Sequence, residues 1–285
     1  MMLIVGKPGT FESEQIVKYL NKREVEFDFL SWCELTLPRD FRKYKIILVR
    51  TPPPLIYRDM PVLLLNFIEA LERQSIKVIP SSESVRKCDK LTLYSQMKDH
   101  GIKTPPTILT SVENEIKKFI EENKVVVYKP LIGGGGRGIL KIEEFDIKLL
   151  SEKLKNEGYV LIQKFVENQG YDIRTIVIGG EVVSQYARTN RGDFRYNIHL
   201  GGAAIPKKDF ISNNSSAIRF FKESEIIALK VKKILGLDMC GVDTLPSIEG
   251  AVYFLEANPF FGFKGAVEKV GERIVDYLIQ LEKNK

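Results

Sequence analysis

Histidine and cysteine are scarce in this sequence, whose 285 residues include only two histidines and three cysteines. Cys33, Cys88 and Cys240 lie far apart, which argues against a disulfide framework and against paired zinc-ligand spacing. We expect them to be small, buried hydrophobic residues. A Ser–His–Asp hydrolase would need His100 or His199, and no G-x-S-x-G elbow supports such an enzyme.

Long hydrophobic runs are also missing, because no apolar stretch reaches the roughly 18 residues that cross a bilayer. The apolar start of the chain stops at Lys7, so it predicts a buried strand and not a signal peptide. Apolar residues make up 44% of the chain and charged residues 28%, as in ordinary globular proteins. We therefore expect a cytoplasmic protein without membrane contact.

The charge distribution by itself excludes few classes of ligand. The 43 basic and 37 acidic residues give a formal net charge of +6, which favours anionic ligands such as nucleotides, acidic metabolites or nucleic acid. The chain has no low-complexity segment and no long tail of one charge sign, and this argues against a nucleic-acid tether.

The first 85 residues predict a small α/β domain. Short apolar runs alternate there with helical patterns, at Ile16, Val17 and Leu20 and across Leu63–Leu71, and this alternation is typical of a parallel sheet. The run Pro52–Pro54 excludes regular structure at that point. The predicted strands are Leu3–Gly6, Val25–Leu30, Lys45–Val49 and Ile76–Ile79.

Residues 86–285 mix helices and strands. One helix is predicted across Ser84–His100, ended by Gly101, and Gly179–Gly180 predicts a tight hairpin. The further predicted helices are Glu113–Glu122, Ile147–Asn156, Ser224–Leu235 (closed by Gly236) and Ala266–Leu281. The further predicted strands are Val125–Lys129, Ile139–Ile142, Tyr159–Phe165, Thr175–Ile178, Val182–Gln185, Gly241–Leu245 and Ala251–Ala257.

Asp243, Glu256 and Asn258 are predicted to meet on one face of a hairpin. If Glu249–Gly250 forms a two-residue turn, Asp243 lies opposite Glu256, and Asn258 shares the face of Glu256. Two carboxylates this close repel unless a cation lies between them, and oxygen ligands suit Mg²⁺. The alternative is a solvent-facing acidic pair, and Pro246 favours a longer turn that would shift the register.

A glycine-rich loop follows the predicted strand Val125–Lys129. The run Gly133–Gly138 lets consecutive backbone N–H groups converge on phosphate oxygens. It lacks the G-K-[ST] end of a Walker motif, and a strand follows it where a Rossmann motif has a helix. We therefore predict a flexible flap, and the alternative is a mobile hairpin tip that binds nothing.

A third feature is an arginine loop, residues 188–202, which combines three arginines with the single acid Asp193. Guanidinium groups bind carboxylates and phosphates through paired hydrogen bonds, and Gly201–Gly202 permits close backbone approach. A solvated basic loop is the plain alternative, and the interleaved aromatic residues also allow a nucleic-acid surface. Asp89-Lys90, taken alone, is an ordinary surface pair.

Taken together and in this order, these features resemble the ATP-grasp superfamily, most closely the RimK-type α-L-glutamate ligases. The resemblance spans roughly residues 85–280 and is most specific from Asp172 to Asn258. The matching segments are Cys88–Lys90, Gly101–Thr107, Tyr128–Pro130 with the glycine loop, Leu161–Gln163, Gly170–Arg174, Gly192–Asn197, Gly201–Ala204, Gly241–Asp243 and Glu256–Asn258.

The resemblance implies an α/β (α+β) protein with the ATP-grasp fold. An N-terminal Rossmann-like parallel-sheet domain, residues 1–85, would precede an ATP-grasp region, residues 86–285. Within that region two α+β subdomains, a central lid at 104–164 and a C-terminal subdomain at 165–285 with the metal site, would grip ATP between them. Because relatives often form dimers or tetramers, the resemblance also implies a homo-oligomer.

The resemblance further implies how ATP is bound. Lys90 and Lys129 would contact the phosphates beneath the flap, Asp172 would lie near the ribose, and the backbone of a hinge segment would read adenine. The hinge is formed by Gln163, Lys164, Phe165 and Val166, and the flap by Gly133, Gly134, Gly135, Gly136, Arg137 and Gly138.

The implied activity is ATP-dependent ligation of a carboxylate to an amine through an acyl phosphate. The amine would come from L-glutamate or a similar amino acid, and the acceptor would be a small molecule, a coenzyme, a carrier or a protein tail. Arg195 and Asn197 would meet the γ-phosphate, and Arg188 and Arg174 are candidates for the substrate carboxylate. The acidic hairpin face would hold one or two Mg²⁺, with Mn²⁺ as a substitute.

Two positions depart from the family pattern. Lys164 stands where the family usually has Glu, which removes one side-chain contact to the nucleotide. Pro259–Phe263 replaces small residues followed by Pro-Gly beside the metal site, and its aromatic rings either form the floor of an apolar substrate pocket or pack locally. These departures are the basis of an alternative function, a nucleotide-binding regulatory module without ligase activity.

Overall fold

Three β-sheets form the strand framework of the residues that this computed structural model describes, which are 1–34, 36, 39–50, 60–131, 133, 135–143, 147–266 and 268–283. Within these ranges no helix combines the length and apolar character needed to cross a bilayer. The predicted break at Pro52–Pro54 lies outside the described residues. The domain boundaries predicted near residues 85, 104 and 165 stay predictions.

The first sheet is parallel, as its alternating sequence pattern predicts. Its strands are β1 (Met2–Gly6), β2 (Phe27–Ser31), β3 (Ile46–Val49) and β4 (Lys77–Ile79), in the order β2-β1-β3-β4, with helices α1 (Phe11–Lys22) and α2 (Met60–Glu72). β1 and β3 are completely buried hydrophobic runs, which is typical of a parallel sheet covered on both faces. The Thr10 side chain begins α1 by accepting a hydrogen bond from the N–H of Ser13.

The single helix predicted across Ser84–His100 is wrong. Two helices occupy this region, α3 (Ser82–Lys87) and α4 (Lys90–Asp99). The N–H groups of Cys88 and Asp89 bond to carbonyls of the preceding turn and end α3, so α4 starts as a separate helix. No proline or glycine marks this break, so the amphipathic pattern alone does not reveal it.

The second sheet, called the lid sheet here, is antiparallel and carries the glycine loop between two of its strands. Its strands are β5 (Thr107–Thr110), β6 (Val125–Tyr128), β7 (Leu140–Glu143) and β8 (Val160–Lys164), in the order β5-β8-β6-β7. Helices α5 (Glu113–Asn123) and α6 (Ile147–Glu157) pack on it through a core that includes Ile120, Ile142 and Leu150. The loop joins β6 to β7 as predicted, whereas β5 is not among the predicted strands.

The third sheet is antiparallel and holds most of the remaining predicted site. Its strands are β9 (Asp172–Ile178), β10 (Glu181–Thr189), β11 (Ala203–Pro206), β12 (Met239–Pro246) and β13 (Val252–Asn258), in the order β11-β10-β9-β12-β13. The helices that follow in this region are α7 (Lys207–Asn213), α8 (Ile218–Leu235) and α9 (Val270–Lys283). The hairpin at Gly179–Gly180 is confirmed, and Gly236, with a φ of 66°, ends α8 as predicted.

The first and third sheets share one hydrophobic core with helices α1 and α9. Their shared core contains Ile4 from β1 together with Ile176 from β9 and Met239 from β12. Arg50, directly after β3, donates a hydrogen bond to the carbonyl of Phe261 at 2.5 Å. The packing therefore places a carboxyl-terminal strand end of the first sheet beside the chain that leaves β13, next to the predicted metal site.

Candidate active site

Asp243 and Glu256 face each other across β12 and β13, as predicted. The predicted two-residue turn is wrong, because Pro246 pairs with Val252 and residues 248–250 form a three-residue loop. The longer turn shifts the strand register by one residue, and a β-bulge at Leu255 shifts it back. The two shifts cancel, so the acidic pair is retained.

The amide at the end of β13 extends this acidic pair into a set of oxygen donors. Nδ2 of Asn258 donates to Oε1 of Glu256 at 3.0 Å, and both residues are half-buried. Within the part of the chain that the structure describes, no group of three or more His, Cys, Asp or Glu side chains is arranged to hold a metal ion. Two carboxylates and an amide suit Mg²⁺, which takes its other ligands from phosphates and water. The donor chemistry fits the predicted cation.

Asp243 also belongs to a buried ion cluster that spans β9, β10 and β12. The strand register places Arg174 opposite Asp243 and Arg188 opposite Asp172. Arg174 binds both carboxylate oxygens of Asp243. Arg188 binds both oxygens of Asp172, at 2.7 and 2.5 Å, and one oxygen of Asp243 at 3.0 Å. The two arginines predicted to meet a substrate carboxylate therefore bind aspartates in this structure.

Burial and the two arginines have opposite effects on the pKa values of the two aspartates in this cluster. Burial raises the pKa of Asp172 to about 6, although Arg188 opposes the rise. Burial also acts to raise the pKa of Asp243, but the charges of Arg174 and Arg188 outweigh it and hold that pKa below its usual value. Asp243 therefore keeps the negative charge that a metal ligand needs.

A cavity of about 110 Å³, called the lid cavity here, lies between the lid sheet and the third sheet. The aromatic rings of Phe194 and Phe165, both lining residues, meet edge to face with centroids 6.2 Å apart. The predicted residues that line the lid cavity are Lys129, Gly136, Gln163, Lys164, Phe165, Val166, Asp172, Arg188, Arg195, Asn197, Asp243 and Glu256. The structure thus brings the lysine, the hinge, the arginine loop and the acidic pair to one place.

The hinge segment is held by the lid sheet. The N–H of Lys164 bonds to the carbonyl of Pro106 at 2.8 Å, and the N–H of Phe165 bonds to the carbonyl of Val125 at 3.0 Å. These two N–H groups are already paired, so a base would be read by other groups of the hinge. The side chain of Lys164 is exposed to solvent.

The glycine flap rests on the arginine loop. Nη1 of Arg195 donates to the carbonyls of Gly136 and Ile139 at 3.1 and 3.3 Å. Gly136 lies against the side chain of Asn197 with a φ of 77°, a conformation that favours glycine. The two residues predicted to meet the γ-phosphate therefore contact the flap directly. Gly134 lies outside the described residues.

Gly136→Ala is expected to lower kcat/KM for ATP by about tenfold or more. The added methyl group would overlap Oδ1 of Asn197, and the left-handed backbone adds roughly 1–2 kcal/mol of strain for a residue with a Cβ. Gly158→Ala is a matched control, because Gly158 has a φ of 80° but open space around it. Steady-state ADP release measures both variants, and equal activity would contradict the role of flap docking.

Both lysines that are predicted to bind phosphate lie on or beside the first two turns of α4. Nζ of Lys90 donates to the carbonyl of Pro130 at 2.5 Å, and Nζ of Lys129 donates to the hydroxyl of Tyr94 at 3.0 Å. That hydroxyl donates in turn to the carbonyl of Leu255 at 3.2 Å. Tyr94 therefore links the base of the flap to the metal strand. No motif singles it out, although its position four residues after Lys90 places both on one helix face.

Tyr94→Phe is expected to raise the KM for ATP severalfold, with a smaller change in kcat. The variant keeps the ring but removes the hydroxyl and both of its hydrogen bonds, each worth roughly 1 kcal/mol, so Lys129 is less well placed for a phosphate. Tyr44→Phe serves as the control, because it removes the hydroxyl bond to Asp28 on β2 of the first sheet. Initial rates over a series of ATP concentrations give KM and kcat for both variants. An equal increase in KM in the two variants would refute a specific role for Tyr94.

A second cavity, called the α2 cavity here, adjoins the lid cavity and has a volume of about 440 Å³. Gly136, Ile139 and Glu256 line both cavities. The predicted residues that line only the α2 cavity are Lys90, Gly133, Gly135, Arg137 and Asn258. Gly138 and Arg174 are not among the described lining residues of either cavity.

The three phenylalanines of the segment Pro259–Phe263 pack in or against the protein core. Phe261 and Phe263 are 1% and 3% exposed and belong to the core between the first and third sheets. The guanidinium of Arg50 lies 5.0 and 5.7 Å from their ring centroids, and burial lowers the pKa of Arg50 to about 10. Phe260 packs against the core of the first sheet. The structure thus favours local packing over an aromatic pocket floor.

Comparisons with known proteins identify the family of the chain. Residues 87–281 match the family model of a RimK-like ATP-grasp domain. The chain is 27% identical over 252 residues to N-acetylaspartylglutamate synthase A of Homo sapiens, which covers 84% of this chain and 61% of that protein. It is 32% identical over 216 residues to a "Probable alpha-L-glutamate ligase" of Parasynechococcus marenigrum (strain WH8102), which covers 73% of this chain and 44% of that protein. The chain thus spans less than two thirds of either relative.

Solved structures share the fold at low sequence identity. The ATP-grasp ligase PsnB complexed with minimal precursor has a TM-score of 0.75 at 19% identity, covering 99% of this chain and 98% of that chain. The RimK domain protein ATP-grasp from Sphaerobacter thermophilus DSM 20745 has a TM-score of 0.70 at 17% identity, covering 98% of this chain and 100% of that chain. The predicted mixed α/β fold is confirmed. Because the family model covers well over half of the chain, this protein belongs to the RimK-like ATP-grasp family.

Proposed function

We propose that the protein joins the carboxylate of an acceptor to the amine of an amino acid, with L-glutamate as that amino acid. The observation that carries the proposal is the meeting of cationic and acidic side chains around the lid cavity. Lys129 comes from the lid, Arg195 from the arginine loop, and the Asp243–Glu256 pair from the hairpin. Phosphoryl transfer to a carboxylate needs such positioning and charge neutralisation more than it needs a nucleophilic side chain.

In the proposed reaction, an oxygen of the acceptor carboxylate attacks the γ-phosphorus of ATP. The bond from that phosphorus to the β–γ bridging oxygen breaks, and ADP leaves. The amine nitrogen of the amino acid then attacks the carbonyl carbon of the acyl phosphate. The carbon–oxygen bond to the phosphate breaks, inorganic phosphate leaves, and the amine proton passes to solvent.

The chain's own residues bind the phosphates and exclude water in this scheme. Lys90 and Lys129 hold phosphate oxygens, and Arg195 and Asn197 stabilise the charge on the transferred group. The contact of Arg195 with the carbonyl of Gly136 couples that charge to the position of the flap. A closed flap keeps out water, which would hydrolyse the acyl phosphate. Mg²⁺, held by the acidic hairpin face, supplies further neutralisation of phosphate charge when bound.

The names of the relatives support glutamate as the amine substrate. They include N-acetylaspartylglutamate synthase A, beta-citrylglutamate synthase B and alpha-L-glutamate ligase, each of which names a glutamyl product or a glutamate substrate. The acceptors in these names differ, so glutamate is the shared element. Several structural neighbours are described with precursor peptides, which keeps a peptide acceptor within the proposal.

ADP release from Mg²⁺-ATP tests the proposal, measured with an amino-acid panel and a small-molecule cell extract. The product mixture is scanned by mass spectrometry for glutamyl conjugates, and Glu256→Gln is run in parallel. We expect ADP release that requires glutamate, a product heavier than its acceptor by one glutamyl residue, and loss of both in the variant. ADP binding without release in any mixture would instead support a regulatory nucleotide-binding module.

A further inference from the structure

The α2 cavity lies where an acceptor would approach the phosphates of bound ATP under the proposed function. Gly136, Ile139 and Glu256 line both this cavity and the lid cavity, so the two cavities meet beside the acidic pair. Its volume of about 440 Å³ is in the usual range of small-molecule sites. The chemistry of its walls therefore bears on which acceptor fits.

One wall of the α2 cavity is apolar. It is formed by Pro61, Leu64 and Leu65 from α2, with Val85 from α3 and Leu93 from α4. The described residues that α2 contributes to the cavity carry no charge and no hydrogen-bonding side chain. A carboxylate pressed against this wall would lose its water without gaining a partner, whereas an aliphatic or aromatic group would gain from burial.

Positive charge reaches the α2 cavity from elements other than α2. Lys90 begins α4, and Arg137 belongs to the flap. Arg86 also lines the cavity but is ion-paired with Glu69. The acidic residues Asp89 and Glu256 line it as well, so the lining carries negative charge of its own. The described lining thus suits one anionic head group better than several.

We infer that the acceptor is a small monocarboxylic acid whose reacting carboxylate is attached to an apolar body. The body packs against Pro61, Leu64 and Leu65, and the carboxylate points toward the flap at Gly136, where the two cavities meet. The inference rests on the proposed function and deepens it, because it names the acceptor class. It separates this chain from relatives whose names carry polycarboxylic acceptors, such as citrate in beta-citrylglutamate synthase B.

Ligand binding to the protein saturated with Mg²⁺ and ADP tests the inference without depending on turnover. The probes are 2-naphthoate, a monocarboxylate with an aromatic body, and citrate, a tricarboxylate, each titrated by calorimetry. Naphthoate is expected to bind about tenfold or more tightly than citrate. Leu65→Glu is expected to abolish that preference, while Leu65→Met retains it.

Leu63→Glu is the matched control, because Leu63 lies on the same helix but is 55% exposed. It is expected to leave naphthoate binding unchanged, and thermal unfolding checks that each variant is folded. Citrate binding as tight as naphthoate binding, no detectable naphthoate binding, or naphthoate binding that survives Leu65→Glu would each overturn the inference. Failure of the ligase proposal has a different signature, because naphthoate would bind while no mixture releases ADP.

Discussion

Turnover is expected to vanish in the Asp243→Asn variant, with ADP release falling by about a hundredfold to a thousandfold. The amide keeps the size of the side chain but removes the negative charge that faces Glu256 across the hairpin. A single carboxylate and two amides then form the donor set, which binds a divalent cation more weakly and neutralises less phosphate charge. ADP release over a series of Mg²⁺ concentrations measures the loss.

A second variant separates metal binding from the buried ion cluster. Asp243 also neutralises Arg174 and Arg188, so its replacement disturbs folding as well as the metal site. Glu256 is half-buried and hydrogen-bonds to the neighbouring amide, so Glu256→Gln removes a metal ligand with less effect on the core. Glu249→Gln, at the exposed turn of the same hairpin, is the control.

The two acidic variants give distinguishable outcomes. Comparable loss of ADP release in both, with full activity in the turn variant, supports a shared metal. Loss only in Asp243→Asn, together with a lower unfolding temperature, would assign the effect to the ion cluster. Substantial turnover in both variants at saturating Mg²⁺ would show that the hairpin does not hold the essential metal.

The acidic hairpin shows how much of the site the sequence predicts and on what that success depends. Strand alternation and a turn signal are local properties, so they place Asp243 opposite Glu256 without knowledge of the rest of the fold. The predicted turn is nevertheless one residue too short, and the bulge at Leu255 restores the pairing. Bulges depend on packing against other strands, so this compensation is not readable from the hairpin sequence alone.

The ion cluster and the role of Tyr94 show what local patterns cannot predict. Arg174 meets Asp243 only because β9 lies between β10 and β12, and this order is a long-range property of the sheet. Tyr94 lies on α4, which begins after a break without glycine or proline, and its hydrogen bond with Lys129 joins distant parts of the chain. The parallel first sheet and the position of the glycine loop between two strands, in contrast, have strong local signals, and both are predicted correctly.

Arg174→Met is expected to lower the free energy of unfolding by about 3–5 kcal/mol. The cluster balances two arginines against two aspartates, and all four side chains are less than a tenth exposed. Removing one guanidinium leaves Arg188 to neutralise both Asp172 and Asp243 away from water. Denaturant unfolding followed by circular dichroism measures the change. Arg23→Met is the control, because Arg23 forms its ion pairs at the surface, where the loss of a pair changes stability little.

A double variant decides whether charge balance or packing explains the loss of stability in Arg174→Met. Arg174→Met combined with Asp243→Leu leaves one balanced pair, Arg188 with Asp172, joined at 2.7 and 2.5 Å. If uncompensated charge dominates, the double variant is more stable than Arg174→Met alone, although it removes more native contacts. Destabilisations that simply add would show that the guanidinium acts through packing. Because the double variant also lacks a metal ligand, it is expected to stay inactive, so stability and turnover separate within one protein.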